Sequence, residues 1–207
     1  MTGRDAGPDA GTTVTDVEPD AAVDDDLPFP LSGTTLIVGP SNVGKTRLTA
    51  RALDAWADAR GPDGVVVLDF APEFERDGRV LGGRLSRFGP LPDGVWTGVV
   101  DTHAPRAESE TAAEAVRLAG ENAARAREVL DGLPDRPRAA FVNDATIPFQ
   151  HERGDPERLA DYCDRADTAV LNAFESDELG TDDPVSRRER EVLTVFREWA
   201  DRVVRLG

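Results

Sequence analysis

The sequence predicts an α/β fold: a mostly parallel sheet of about five to six strands with helices on both faces. Three observations carry this. Apolar runs too short for helices, such as Val65-Val66-Val67-Leu68 and Ala139-Ala140-Phe141-Val142, alternate with longer stretches of three- and four-residue apolar period. Those runs are apolar at consecutive positions, as in strands covered on both faces. The first of them, Thr34-Thr35-Leu36-Ile37-Val38, enters the pattern G-x-x-x-x-G-K-T at Gly39–Thr46, and a helical period follows at once.

Taken in order, residues 1–28 are rich in Asp, Gly, Pro, Thr and Ala without an apolar period, which predicts a disordered acidic tail. The domain then spans 29–207, and Leu27, Phe29 and Leu31 are expected to pack on the sheet at its start. Arg47 to Arg60 reads as a helix with Leu48, Ala52, Leu53 and Trp56 on one face, stopped by Gly61-Pro62-Asp63-Gly64. Val65 to Phe70 is a buried strand. Residues 71–94, rich in Gly, Pro and Arg, form a loop long enough to be functional or mobile. Its Arg76, Arg79, Arg84 and Arg87 either meet an anionic acceptor or partner, or pair with the acids Glu73, Glu75 and Asp77.

Val95 to Asp101 is a third strand, and a long alanine-rich helix follows from about Ala107 to Asp131. Arg138 to Asp144 is a fourth strand, Pro156 to Arg165 a helix and Thr168 to Asn172 a fifth strand. Ser186 to Ala200 is a helix whose Ser186 and Glu189 fit a capping box. Val203 to Leu206 is an edge strand. In such sheets ligands sit outside the carboxyl ends of the strands. That selects Gly39–Thr46, Asp69, Asp101–Arg106, Asn143, Asp144 and Asn172.

The residue types in the glycine-rich segment have a mechanical reason. Gly39 and Gly44 permit backbone conformations a side chain would block. The N–H groups of Ser41, Asn42, Val43 and Gly44 can then turn inward to cradle phosphates, aided by the N-terminus of the next helix. Lys45 would reach the β- and γ-phosphates, and the Thr46 hydroxyl would ligate Mg²⁺. Lys45 is the only lysine in 207 residues, every other basic side chain being arginine, which adds weight to this Walker A pattern. A carboxylate at a strand end should complete the metal site, and Asp69 and Asp144 compete for that role. Arg106 could stabilise transferring phosphate. His103 is a general base or a solvated histidine.

Lysine scarcity and a net charge of −16 resemble proteins adapted to high salt, where carboxylates keep the surface hydrated. The absence of a basic stripe disfavours nucleic acid as a partner but leaves it open. Cys163 is alone, which excludes a disulfide framework. No apolar run reaches membrane-spanning length and no signal-peptide pattern opens the chain, so a cytoplasmic protein without membrane contact is expected.

The segment from Leu36 to Glu73 resembles P-loop NTPase families in which the strand after the P-loop helix ends in an acidic motif. Among these are the MinD/ParA-type ATPases and the Clp1/Grc3-type polynucleotide kinases. Where MinD/ParA-type loops carry a second lysine after the first glycine, this chain has Pro40. Where Clp1-type enzymes carry further acidic and Gly-Gln residues, it has Phe70-Ala71-Pro72-Glu73. GTPases specify guanine with N-K-x-D. Asn172 sits at a comparable place but is followed by Ala173-Phe174-Glu175, which favours ATP over GTP. The resemblance implies a Mg²⁺-dependent ATP-binding hydrolase. The alternatives are a kinase acting on a small metabolite or polynucleotide, and an ATP-sensing module without turnover.

Overall fold

The computed structural model of the chain describes residues 12–17, 27–76, 79–81 and 83–207. Seven strands form one all-parallel sheet: β1 (Thr13–Val17), β2 (Gly33–Gly39), β3 (Val65–Asp69), β6 (Trp96–Val99), β7 (Ala139–Asn143), β8 (Thr168–Phe174) and β9 (Arg202–Leu206). Their order across the sheet is β1-β9-β2-β8-β7-β3-β6. Two short strands, β4 (Phe74–Arg76) and β5 (Arg79–Leu81), pair antiparallel outside it. The helices are α1 (Lys45–Arg60), α2 (Pro105–Glu108), α3 (Ala112–Asp131), α4 (Pro156–Cys163) and α5 (Pro184–Trp199).

The consecutive apolar residues of the strands divide between two cores, as the pleat requires. Leu36 and Val38 of β2, Val66 and Leu68 of β3, and Val142 of β7 face α3, α4 and α5 through Leu130, Leu159 and Phe196. Ile37, Val65, Val67 and Phe141 face the opposite way, onto Leu48, Leu53 and Trp56 of α1. Phe29 is buried in this second core, with Leu27 and Leu31 packed against it, as expected. Cys163 is fully buried, and that burial drives its thiol pKa far upward, so it is a core residue and not a nucleophile. Among the described residues no helix is long and apolar enough to cross a membrane.

Five sequence expectations are corrected. Residues 13–17 are not part of a structureless tail, because they form strand β1, paired in parallel register with β9 from Thr13–Arg202 to Val17–Leu206. The other expected tail residues before Thr12 and between 18 and 26 lie outside the described residues. β9 is therefore an inner strand between β1 and β2, not an edge. The long helix begins at Ala112, because Thr111 caps it by accepting the Glu114 N–H at 3.2 Å while Glu114 accepts the Glu110 N–H. Pro105 starts the separate turn α2 upstream. The last helix starts two residues early, at Pro184, with Asp183 as its cap accepting the Ser186 N–H at 3.0 Å, which releases Glu189 from the capping role assigned to it. The segment 71–94 is also less irregular than a plain loop, since it holds the β4–β5 hairpin and a 3₁₀ turn at Leu85–Arg87.

The side chains of β1 are almost all exposed, so its contribution is backbone pairing and cover for the edge of β9. Removing residues 1–17 is expected to lower the melting temperature by a few degrees, about 1 kcal/mol in a domain this size. Calorimetry of the truncated chain checks this, and an unchanged melting temperature would show that the pairing adds nothing.

Candidate functional site

Strand order decides which strand ends meet the glycine-rich segment. It leaves β2, and β8 is its neighbour on one side, with β7 two strands away and β3 three. At about 4.8 Å per strand, β7 ends roughly 10 Å from β2 and β3 roughly 14 Å.

The segment turns tightly because Gly39 passes against β9, where a Cβ would collide with the Leu206 carbonyl. Gly44, at φ 98°, caps α1 in a left-handed conformation that a larger residue resists. Asn42 also takes a positive φ, 63°. Lys45, the first residue of α1, is 8% exposed, and its ammonium donates to the Pro40 carbonyl at 2.5 Å. It lies 5.9 Å from the centre of the Phe174 ring. Burial lowers the Lys45 pKa, while the carboxylates of Asp144, Glu178 and Glu189 pull the other way.

Asp144 stands just beyond β7 at φ 53°, a left-handed conformation rare for a non-glycine residue. Asn172 of β8 holds that bend, its side-chain carbonyl accepting the Asp144 N–H at 3.0 Å and its backbone carbonyl accepting the Ala145 N–H at 2.8 Å. Burial pushes the Asp144 carboxyl up to about 6, with Lys45 the charge that holds it down.

Asp69 is placed differently. It is 3% exposed and accepts hydrogen bonds on both oxygens: from Asn143 Nδ2 at 2.8 Å and the Ala71 N–H at 3.3 Å on one, and from the Leu85 N–H at 2.8 Å on the other. Asn143 also donates to the Gly83 carbonyl at 2.9 Å. Asn172 Nδ2 donates to Asn143 Oδ1 at 2.8 Å and to Thr49 Oγ1 at 2.9 Å. Thr49 in turn donates to the Lys45 carbonyl. A buried polar chain thus crosses beneath the strand ends from α1 to the loop after the hairpin. Asp69 and Asn172 both belong to it, and neither lines the cleft above.

That cleft encloses about 1020 Å³. Ser41, Asn42, Gly44, Lys45 and Thr46 line it together with Arg106, Asp144, Gln150, Phe174 and Glu189. Arg106 pairs with Glu189 at 2.6 Å, donates to Ser186 Oγ at 3.1 Å and lies 5.5 Å from the Phe174 ring centre. Glu189, 4% exposed, also accepts from Thr146 Oγ1 and Gln150 Nε2 at 2.9 and 2.8 Å. Of the loop arginines, Arg87 lines the cleft, and Arg84 faces Glu73 and Asp101 at 3.5 and 3.8 Å. The side chains of Arg76 and Arg79 lie outside the described residues. His103 stays out of the cleft, its two ring nitrogens 3.1 Å from Glu108 and Glu121. Gly39 and Val43 shape the segment but do not line the cleft, and Val43 packs on the α1 core.

Sequence reasoning missed Glu189, Gln150, Thr146 and Phe174. One signal was available for Glu189: it falls in the four-, three- and four-residue steps Val185, Glu189, Val192, Phe196 that define the buried face of α5. A carboxylate in such a stripe needs a partner, and Arg106 is that partner.

Among the described residues no three His, Cys, Asp or Glu side chains gather as a metal-binding group. Thr46 and Asp144 do line one cleft. Mg²⁺ commonly takes one or two protein oxygens and completes its shell with phosphate and water, so this donor pair fits it and would hold it only together with a phosphate-bearing ligand.

No protein-family model and no curated protein matches the chain.

Proposed function

We propose that the chain is a Mg²⁺-dependent P-loop nucleoside triphosphatase that binds and hydrolyses ATP. The observation that carries the reading is the placement of Lys45. The chain's only lysine is kept buried at a helix N-terminus, at a cost in desolvation, beside a carboxylate and facing a cleft large enough for a nucleotide. Backbone N–H groups of residues 41–44 would cradle the phosphates, Lys45 would reach the β- and γ-phosphates, and Thr46 and Asp144 would hold Mg²⁺. The metal, when bound, neutralises charge that builds on the phosphates during transfer. Asp144 is favoured over Asp69 because it lines the cleft, whereas both Asp69 oxygens are engaged below it. Arg106 lines the same cleft and would help stabilise the transferring group.

A second reading, a kinase, draws on one feature. The cleft continues past Asp144 to Arg87, Phe88, Pro105 and Ile147, a region with a cation and apolar walls that suits an anionic acceptor. Phosphate release from Mg·ATP without any acceptor favours the hydrolase. Turnover only after addition of an acceptor favours the kinase, and binding with no turnover at all would leave an ATP sensor.

The pH dependence gives a sharper test. The folded Asp144 pKa lies above its ordinary 3.8, at about 6, so the ionised form weighs against the fold and stability contributed at this site falls as pH rises between those values. Turnover needing the carboxylate should climb around pH 6 and level off about one pH unit higher. Asp144→Asn is expected to lower turnover at least about 100-fold while raising stability at pH 8 by up to about 2–3 kcal/mol. Full activity in Asp144→Asn would remove this residue from the site.

A further inference from the structure

Loop 175–183, between β8 and α5, places a carboxylate on the glycine-rich segment itself. Glu178 Oε1 accepts the Ser41 N–H at 2.8 Å. That amide is one of those assigned above to phosphate. The Glu178 charge is also close enough to act on the buried Lys45 ammonium. The loop is built to present it. Its start is fixed by the Glu175 N–H on the Gly39 carbonyl at 2.9 Å. Ser176 Oγ accepts the Glu178 N–H at 3.1 Å, and Asp177 is tied to Arg190 of α5 at 2.7 Å. The chain then turns through Gly180, at φ 91°, whose N–H bonds the Asp177 carbonyl. Leu179, next to Glu178, lines the same cleft.

An exposed carboxylate on a chain of net charge −16 has water on every side to hydrate it. Here one has instead taken a backbone donor of the glycine-rich segment, close to the buried Lys45 ammonium. A carboxylate oxygen accepting an amide N–H makes the same type of charge-assisted contact that a phosphate oxygen makes. The two cannot occupy one N–H together. We propose that Glu178 is an internal anion that competes for the glycine-rich segment, so that only a polyphosphate, which gains several further amides and Lys45 at once, displaces it. An orthophosphate, gaining few of those contacts, does not. Displacement would free Glu178 and Leu179 to move away from the glycine-rich segment, while the Asp177–Arg190 pair keeps the rest of the loop in place. The inference rests on the phosphate-binding reading of residues 39–46.

Calorimetry of the full-length chain with three probes, Mg·ADP, pyrophosphate and orthophosphate, tests it. Glu178→Gln and Glu178→Ala are each expected to bind Mg·ADP and pyrophosphate about tenfold more tightly than the parent chain, and orthophosphate detectably where the parent does not. Asp182→Asn, which removes one charge from the same loop without touching Ser41, should leave all three affinities within about twofold. Unchanged or weaker affinity in both Glu178 variants overturns the proposal. So does equal tightening in Asp182→Asn, because relief of general repulsion would then account for the gain. If the parent chain and every variant bind none of the probes, the phosphate site itself is wrong, and the competition falls with it.

Discussion

Lys45→Ala is expected to abolish Mg·ATP binding and to leave the melting temperature within a few degrees of the parent's. The two halves of this result have separate causes. The ammonium is the buried cation at the start of α1 on the cleft wall, and no other lysine can replace it. Its loss should weaken nucleotide affinity by at least about 100-fold, the scale of a desolvated charge contact. Stability moves little because two effects oppose each other: burial lowers the Lys45 pKa, so the charged form costs stability at neutral pH and that cost disappears with the side chain, while the buried Asp144 carboxylate loses the charge that compensates it. A third consequence separates this from a generic loss of binding. Lys45 is the charge that restrains the Asp144 carboxyl at about 6, so in Lys45→Ala the Asp144 titration should move upward. Titration calorimetry, thermal unfolding and an Asp144 carboxyl titration by NMR read the three effects. Unchanged affinity would refute the assignment of the glycine-rich segment.

The fold was legible in the sequence because its strands are buried on both faces and announce themselves as unbroken apolar runs. The glycine-rich segment was legible because close backbone approach at Gly39 and a positive φ at Gly44 allow few other residues. Strand order was not, since no local pattern records which strand lies beside which. That one unknown left Asp69 and Asp144 equivalent: both follow apolar runs. The all-parallel order puts β7 nearer to β2 than β3 is, and so sends Asp144 to the cleft and Asp69 into the polar chain below. β1 went unread for a different reason. With mostly exposed side chains on an edge strand, Thr13–Val17 carries no apolar signature, and its anchors are hydrogen bonding to β9 and the partly buried Val17 at its end. The Arg106–Glu189 pair needed tertiary contact between segments more than 80 residues apart.

The polar chain beneath the strand ends predicts the largest stability effect away from the cleft. Asn143→Ala is expected to destabilise the fold by about 3 kcal/mol, because it strands several buried groups at once. Asp69 loses a donor, the Gly83 carbonyl loses another, and Asn172 Nδ2 loses one of its two acceptors. The penalty should also depend on pH. Burial already raises the Asp69 pKa, and the Asn143 hydrogen bond is the largest influence opposing it. Without that bond the folded pKa rises further above 3.8, the ionised carboxylate weighs more heavily against the fold, and the loss grows as pH increases. Urea unfolding at pH 5 and pH 8 should therefore show a wider gap between Asn143→Ala and the parent chain at pH 8. Asn143→Asp should be worse still at the higher pH, since it sets a second carboxylate against Asp69 in a buried site. In the Asp69→Asn background Asn143→Ala should cost less, and the difference measures the coupling. An equal loss at both pH values would mean that Asp69 is carried by its backbone donors at Ala71 and Leu85 alone. Because Asn143 hands the chain on to Asn172, which fixes the left-handed bend at Asp144, its removal should also loosen the carboxylate that acts most strongly on Lys45. The network below the cleft would then set both the stability of the sheet and the geometry of the acid above it.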